Sequence, residues 1–211
     1  MDWNYGDSYK RFPAEPGKEI RAAGGILMAR DIFGPLPEFM KAADVIFTDG
    51  PWNLGNMKSF YTKAGMEAPG IRDFEAFYKR LFECIGEIGP RACYLEIGKE
   101  FLGEYLAEMK KLYPHVTFYN SSYYHRKGNF CYVVHGSRKR KNMRYDGMDE
   151  EDIISAVARD EDGCIGDLCM GRGLVALAAY RNGKPFVGTE LNPKRLSVCL
   201  ERLHGEGARI G

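Results

Sequence analysis

The sequence predicts an α/β fold: a mainly parallel sheet with helices on both faces and a terminal antiparallel hairpin. Short apolar runs typical of buried parallel strands alternate with longer segments of helical periodicity. Strands that alternate with helices in this way form parallel sheets covered on both faces. Two of the apolar runs end in an acid followed by a glycine-containing turn, at Asp49-Gly50 and from Asp167 to Gly171. A length of 211 residues suits one such domain, so residues 1–211 are predicted to form a single domain.

The first half begins with an N-terminal arm at 1–19, marked by aromatic, polar, proline and glycine residues. The aromatic residues of the arm are Trp3, Tyr5, Tyr9 and Phe12. They predict either an arm that stacks on the substrate or, as the favoured interpretation, a latch packed onto the domain. A segment rich in glycine, methionine and lysine at 53–71 predicts a long loop on the substrate side. Strands are predicted at 24–31, 43–48, 92–97, 116–119 and 130–135, with helices at 74–88 and 101–113.

The second half follows a polar, basic connector at 136–148, which is the other predicted substrate-side loop. The helix that opens at Asp149 carries acids in its first turn, as the helix dipole favours. Further strands are predicted at 164–168 and 186–189, and helices at 149–158, 174–182 and 193–203.

Composition limits the classes of function. The formal net charge is +1, so a protein of this composition that binds nucleic acid must concentrate its positive charge locally. No run approaches the ~20 apolar residues of a membrane span, and the N-terminus lacks a signal-peptide pattern. The six cysteines lack metal-ligand spacing and are predicted to be reduced, buried thiols. We therefore predict a cytoplasmic protein without a metal.

A glycine-rich segment near the C-terminus predicts a nucleotide-cofactor site. Gly171 and Gly173 lie between a strand and a helix, where a ligand can approach the backbone. Glu190 ends the next strand and is placed to accept hydrogen bonds from two ribose hydroxyls. The same pattern also fits a dinucleotide site, or a tight turn with glycines for packing alone. About twenty residues follow Glu190, too few for a second mononucleotide-binding half, so a methyl-donor nucleoside with one ribose fits better.

A second motif predicts a site that holds a planar base. Asp49 and the carbonyl of Gly50 can accept hydrogen bonds from the two N–H bonds of an exocyclic amine, after which Pro51 and Trp52 follow. The face of Trp52 suits stacking of an extruded or single-stranded base. The alternative is a strand that ends in a tight turn, with Trp52 as a core anchor.

Together the two motifs resemble the S-adenosylmethionine-dependent amino-methyltransferases of nucleic acids, in the permuted order with the catalytic motif first. Asp49-Gly50-Pro51-Trp52 is similar to the Asp-Pro-Pro-aromatic pattern of the adenine-N6 branch, with Gly50 in place of a proline. The resemblance implies a Rossmann-like methyltransferase fold and S-adenosylmethionine as cofactor. It implies catalytic roles for Asp49, Gly50, Pro51 and Trp52, and cofactor contacts for Asp31, Asp167, Cys169, Gly171, Gly173, Glu190 and Asn192.

The expected activity is methyl transfer to adenine N6, with DNA favoured over RNA. The alternatives are RNA adenine, cytosine N4, or a catalytically silent subunit that binds nucleic acid or an active partner. The chain has no room for a separate target-recognition domain, so selectivity would come from loops or from a partner or homodimer. A run of basic residues is expected to lie beside the active half: Arg138, Lys139, Arg140, Lys141 and Arg144. This run predicts either contacts with nucleic-acid phosphates or an ordinary solvated surface.

Overall fold

The computed structural model describes residues 5–68, 70, 73–126 and 128–211. Within these residues there are eight strands: β1 Glu19–Ala22, β2 Gly25–Ala29, β3 Val45–Asp49, β4 Ala92–Ile97, β5 His115–Ser122, β6 Phe130–Ser137, β7 Ile165–Asp167 and β8 Phe186–Glu190. The same residues contain seven α-helices: α1 Ser8–Arg11, α2 Leu54–Ala64, α3 Glu75–Ile88, α4 Leu102–Leu112, α5 Glu150–Asp160, α6 Leu174–Arg181 and α7 Pro193–Gly205. Short 3₁₀ turns lie at Glu38–Ala42 and Lys99–Phe101.

The strands form a single mixed sheet in the order β1-β2-β8-β7-β3-β4-β6-β5. The five strands from β2 to β4 in this order are mutually parallel. The predicted hairpin is confirmed, because β6 pairs antiparallel with both β4 and β5. A second antiparallel pair, β1 with β2, closes the other edge. The sequence did not indicate β1, which has only four residues and begins at Glu19, the last residue of the polar arm. The α/β fold with a mainly parallel centre is confirmed.

The loop predicted at 53–71 is wrong for its first part, which forms α2. Asn53 caps this helix by accepting a hydrogen bond from the Asn56 N–H, and Gly65 ends it in a left-handed conformation. The helix buries Met57 and Tyr61, one turn apart. A stripe of two residues is too short to give a clear helical period. Residues 69 and 71 of the predicted loop lie outside the described residues.

The described part of the N-terminal arm packs onto α7, as the latch interpretation predicts. Ser8 and Arg11 bind the carboxylate of Glu201. The ring of Phe12 lies 5.2 Å from that of His204. Trp3 lies outside the described residues. The arm therefore holds α7 in place. The first turn of α7 lies at the carboxyl ends of the parallel strands.

All six cysteines are free thiols, and five of them are buried. Their burial agrees with the prediction of reduced core cysteines. Among the described residues, no helix combines the length and apolar character needed to cross a membrane.

Candidate active site

The carboxyl ends of the five parallel strands meet at one edge of the sheet, and acids gather there. Each of the central strands contributes a carboxylate at or just beyond its last residues, because the polypeptide leaves the core at this edge. In sheet order these acids are Asp31 after β2, Glu190 in β8, Asp167 in β7, Asp49 in β3 and Glu96 in β4. We call this set the acidic edge.

Asp49 faces an open cleft of about 700 Å³ at the acidic edge. Its Oδ1 accepts a hydrogen bond of 3.0 Å from the indole Nε1 of Trp52, which leaves Oδ2 available to a substrate. The Trp52 ring meets Tyr123 edge-on, with centroids 5.2 Å apart. Reduced hydration at this recess, together with the negative charge of Glu150, raises the pKa of Asp49 to about 7. The predicted catalytic acid is therefore accessible and titrates near neutrality.

Gly50 is packed too closely for a side chain without adjustment of its neighbours. A Cβ at this position would lie 3.1 Å from the ring of Phe77 and 3.7 Å from Sγ of Cys169. Pro51 lines the cleft together with Trp52. The structure thus gives a packing reason for glycine where the resembling family has proline.

The glycine motif turns sharply beneath Glu190. Gly171 and Gly173 have φ of 55° and 80°, in the left-handed region that favours glycine. The Gly171 N–H donates to Glu190 Oε2 at 2.6 Å, and the Asn192 N–H donates to Oε1 at 2.9 Å. A carboxylate offers about four acceptor positions, so both oxygens keep capacity for a ligand. Burial raises the pKa of Glu190, and the nearby guanidinium of Arg195 opposes this.

Asp167, which lines the cleft, and the buried Asn192 hold the surrounding elements together. Asp167 Oδ1 accepts from the Thr48 hydroxyl and from the Cys169 N–H, which ties β7 to β3. Burial raises the pKa of Asp167 to about 8. Asn192 was predicted to bind cofactor, but its buried side chain caps α7 through Lys194 and holds the carbonyl of Lys63. It therefore shapes the site without lining it.

A smaller cavity adjoins the cleft and contains the other predicted cofactor residues. Asp31 accepts hydrogen bonds from the Tyr61 hydroxyl at 2.7 Å and from the Phe33 N–H at 3.0 Å. The cavity wall is completed mainly by apolar and charged side chains, including Phe60, Leu168, Cys169, Glu190, Leu191 and Arg195. Asp49, Pro51, Phe60, Cys169 and Arg195 line both spaces.

Two residues that line the cleft, Arg195 and Tyr124, received no site role from the sequence. Arg195, in the first turn of α7, places its guanidinium 5.1 Å from the ring centre of Phe60. Its Nε is buried without a hydrogen-bond partner among the described residues. Tyr124 is 66% exposed beside the cleft. Arg195 follows Glu190 by five residues, and that spacing could have identified it.

Two buried acids were also missed. Glu96 is 2% exposed and pairs in register with Asp49 on the neighbouring parallel strand. Glu150, in the first turn of α5, is 7% exposed and lies against Glu96. Glu96 comes at the end of an apolar run, as Asp49 does, and that shared pattern could have found it.

The basic segment predicted to bind nucleic acid contains Arg138, Lys139, Arg140, Lys141 and Arg144. The expectation that it lies beside the active half is wrong for its start, because β6 runs antiparallel to β4. Ser137 consequently pairs with Ala92, at the amino end of β4. Nζ of Lys141 lies 2.5 Å from the buried carboxylate of Glu161, so Lys141 forms an ion pair with a core residue. The cations that line the cleft are Lys63, Arg172, Arg195 and Arg202.

The sequence matches no protein-family model and no curated protein sequence. Solved structures do resemble it. M1.HpyAVI in complex with SAM gives a TM-score of 0.58 at 13% identity, over 84% of this chain and 98% of that one. TTHA0409 of Thermus thermophilus, a candidate DNA modification methylase complexed with S-adenosyl-L-methionine, gives 0.57 at 14% identity, over 79% and 87%.

PvuII DNA methyltransferase, which is cytosine-N4-specific, gives a TM-score of 0.58 at 10% identity, over 90% of this chain and 94% of that one. At these identities the likeness concerns the fold. The chain has the Rossmann-like fold of the methyltransferases, as the sequence predicted.

Proposed function

We propose that this protein transfers a methyl group from S-adenosylmethionine to the exocyclic N6 amine of adenine in DNA. One observation carries the proposal: Asp49 lines both the smaller cavity and the open cleft. A cofactor in the first space and a base in the second would meet beside its carboxylate. The fold shared with methyltransferases supports the same arrangement.

The smaller cavity fits the cofactor by the chemistry of its lining. Glu190 keeps acceptor capacity for two ribose hydroxyls. Asp31 offers an acceptor to an adenine amine, and the Phe60 face suits an aromatic ring. Gly171, which lines the adjoining cleft, has a φ of 55° that favours glycine, and a Cβ there would lie 2.8 Å from Arg195 Nη2. The Arg195 guanidinium suits the carboxylate of the methionine part, because arginine binds carboxylates through two parallel hydrogen bonds.

Asp49 would act on the amine of the base. An exocyclic amine is a weak nucleophile, since its lone pair is delocalised into the ring. Asp49 would accept a hydrogen bond from one N–H of the amine, and the Gly50 carbonyl would accept one from the other. These two hydrogen bonds would direct the nitrogen lone pair towards the methyl group. When bound, S-adenosylmethionine would supply that methyl on its positively charged sulfur, and the amine nitrogen would take it with its lone pair as the carbon–sulfur bond breaks. The amine then loses one proton, which a carboxylate with a pKa of about 7 can accept.

Cytosine N4 is the second candidate, supported by the likeness to a cytosine-N4-specific enzyme. It offers the same amine beside a ring nitrogen. An acid at position 49 favours adenine, by resemblance to the adenine-N6 branch.

The test is incubation with labelled S-adenosylmethionine and either DNA or RNA, followed by nucleoside analysis. We expect N6-methyladenine in DNA. Asp49→Ala should lower the rate at least a hundredfold, because the amine loses its acceptor, while calorimetry still detects cofactor binding. An unchanged rate would remove Asp49 from the active site. Cofactor binding by the wild type without methylation of any nucleic acid would support the silent-subunit alternative.

Glu190→Ala provides the complementary test of the cofactor cavity. It removes two charge-assisted hydrogen bonds of roughly 1.5–3 kcal/mol each, before water compensates. Affinity for S-adenosylmethionine should fall at least tenfold in calorimetry, with the fold retained by circular dichroism. Unchanged affinity would exclude Glu190 from the cofactor site.

A further inference from the structure

Two arginines converge on the turn that carries Asp31. Arg30 follows β2 directly and lines the smaller cavity, whereas Arg80 belongs to α3. Nε of Arg30 donates to the Asp31 carbonyl at 2.9 Å. Its Nη2 donates to the carbonyls of Ile32 and Gly34, at 2.8 and 2.9 Å. Nε and Nη2 of Arg80 donate to the same two carbonyls, each at 3.1 Å.

The carbonyl oxygens of residues 31–34, here called the Asp31 turn, are satisfied in pairs. Those of Ile32 and Gly34 each accept a hydrogen bond from both arginines. That of Asp31 accepts from Arg30 and, at 3.0 Å, from the Gly34 N–H. A carbonyl oxygen has two lone pairs, so these three have no capacity left for a cofactor. The arginines therefore fix the turn and occupy its backbone acceptors.

The carboxylate of Asp31 is the acceptor that the turn still offers. Its Oδ1 accepts hydrogen bonds from the Phe33 N–H and the Tyr61 hydroxyl. Its Oδ2 accepts none from the described residues, and Asp31 lines the smaller cavity. A carboxylate oxygen held in one position suits an N–H donor and repels another acceptor.

We infer that Arg80 and Arg30 are positioning residues that make the smaller cavity selective for a purine ring bearing a 6-amino group. The inference rests on the proposed function, which places the adenine of the cofactor beside Asp31. With the turn fixed, the free carboxylate oxygen meets the amine. Hypoxanthine presents a carbonyl at the same place, and two acceptors would then face each other. A fixed polar group rejects the wrong partner more strongly than a mobile one, which turns away.

The competing explanation is that Arg80 acts through its charge and its ion pairs on α3. Its Nη1 lies 3.2 Å from the carboxylate of Glu83 and 3.0 Å from that of Glu87. Nε and Nη2, which bind the turn, take no part in these pairs. The double variant Glu83→Gln with Glu87→Gln therefore removes the ion pairs and leaves the contacts with the turn. It is the matched control.

The test measures binding of S-adenosylhomocysteine and S-inosylhomocysteine by calorimetry. The inosyl compound carries a carbonyl in place of the purine amine. The wild type should bind the adenosyl compound at least tenfold more tightly. In Arg80→Met, which keeps the aliphatic stem and loses the donors, the preference should fall below about threefold. Arg80→Lys keeps the charge without the planar fork and should behave like Arg80→Met. The control double variant should keep the wild-type preference within about twofold.

Asp31→Asn measures whether Arg80 acts through Asp31. Asparagine Oδ1 can keep both existing hydrogen bonds, so the amide nitrogen takes the place of the free oxygen and donates. The preference for the adenosyl compound should then fall at least tenfold when Arg80 is present. In the Arg80→Met background the same substitution should change the preference less than about threefold, because the turn is no longer fixed. Loss of stability alone produces no such coupling between the two positions.

An unchanged preference in Arg80→Met, with the fold retained by circular dichroism, would overturn the inference. So would a wild-type preference in Arg80→Lys, which would assign the effect to charge, or a lost preference in the control double variant. A wild type that binds both compounds equally would refute the inference and leave the proposed function standing. Selective binding without methylation of any nucleic acid would refute the proposed function and leave the inference standing. A wild type that binds neither compound would refute both.

Discussion

Two buried glutamates at opposite ends of the sheet show how differently the same side chain can be used. Glu161 is fully buried near the amino ends of the strands, and its carboxylate is completely engaged. Arg91 lies 3.0 Å from Oε2 and Lys141 2.5 Å, while the Tyr94 hydroxyl donates to Oε1 at 2.7 Å. Burial acts to raise the pKa of Glu161, but these donors outweigh it and lower the pKa below its usual value.

Glu96 is almost equally buried at the carboxyl edge, and its neighbours are acids. Its pKa moves in the opposite direction, and one of its oxygens has no partner among the described residues. The donors around Glu161 join elements of the fold, whereas a raised pKa and one unsatisfied oxygen among other acids make Glu96 a candidate functional-site residue. Burial does not distinguish Glu161 from Glu96, because both are buried. The groups around each carboxyl distinguish them.

The largest effect should come from Glu161→Gln. Loss of the charge leaves Arg91 and Lys141 without their partner, and a broken buried ion pair costs about 3 kcal/mol when its cations partly reach solvent. Because the folded pKa is depressed, this stabilisation is present at neutral pH and is lost as the pH falls through that folded pKa. Urea denaturation at pH 7 measures it.

Glu96→Gln is the matched control, since it replaces a neutral acid by a neutral amide of the same shape. Its free energy of unfolding at pH 7 should lie within about 1 kcal/mol of the wild type. If both substitutions lower the free energy of unfolding equally, Glu96 contributes to stability as much as Glu161 does. The proposed difference between the two ends of the sheet would then be wrong.

Much of the fold was predictable because local patterns determine it. The run before Asp49 and the helical spacing after Phe74 each gave an element close to its observed bounds. Helix α2 was missed because two buried side chains define its inner face. Four acids of the acidic edge, Asp31, Asp49, Asp167 and Glu190, were identified from the sequence, whereas Glu96 was missed although it also ends an apolar run.

The path of the chain between elements was only partly visible in sequence. The antiparallel direction of β6, which the predicted hairpin implies, carries the basic segment to the far end of the sheet. The expectation that this segment lies beside the active half overlooked that direction. Glu150 reached the site from a helix that lies 54 positions after Glu96, which only tertiary packing could reveal.

Asp49→Asn sharpens the contrast in protonation. Unlike Glu161, Asp49 faces the cleft and has a pKa of about 7. If its ionised form accepts the amine hydrogen, the wild-type rate should rise about tenfold per pH unit below pH 7 and level off above it. Asparagine keeps an acceptor oxygen but does not titrate, so the variant should retain reduced activity with a flat profile from pH 5.5 to 8.5. A profile that still rises in the variant would assign the titration to another group.

The smallest expected effect compares one exposed cation from each end of the sheet. Arg172 lines the cleft at the carboxyl edge, whereas Arg140 is exposed near the amino ends. If DNA lies across the cleft, Arg172→Ala should reduce the slope of log affinity against log salt concentration by about 0.9, the value for one lost phosphate contact. Arg140→Ala removes the same charge and should leave the slope unchanged, since β4 separates the two ends by on the order of 16 Å. Fluorescence anisotropy with one duplex at several salt concentrations measures both slopes. A reduced slope for Arg140→Ala alone would locate the DNA at the basic segment and contradict a nucleic-acid cleft at the acidic edge.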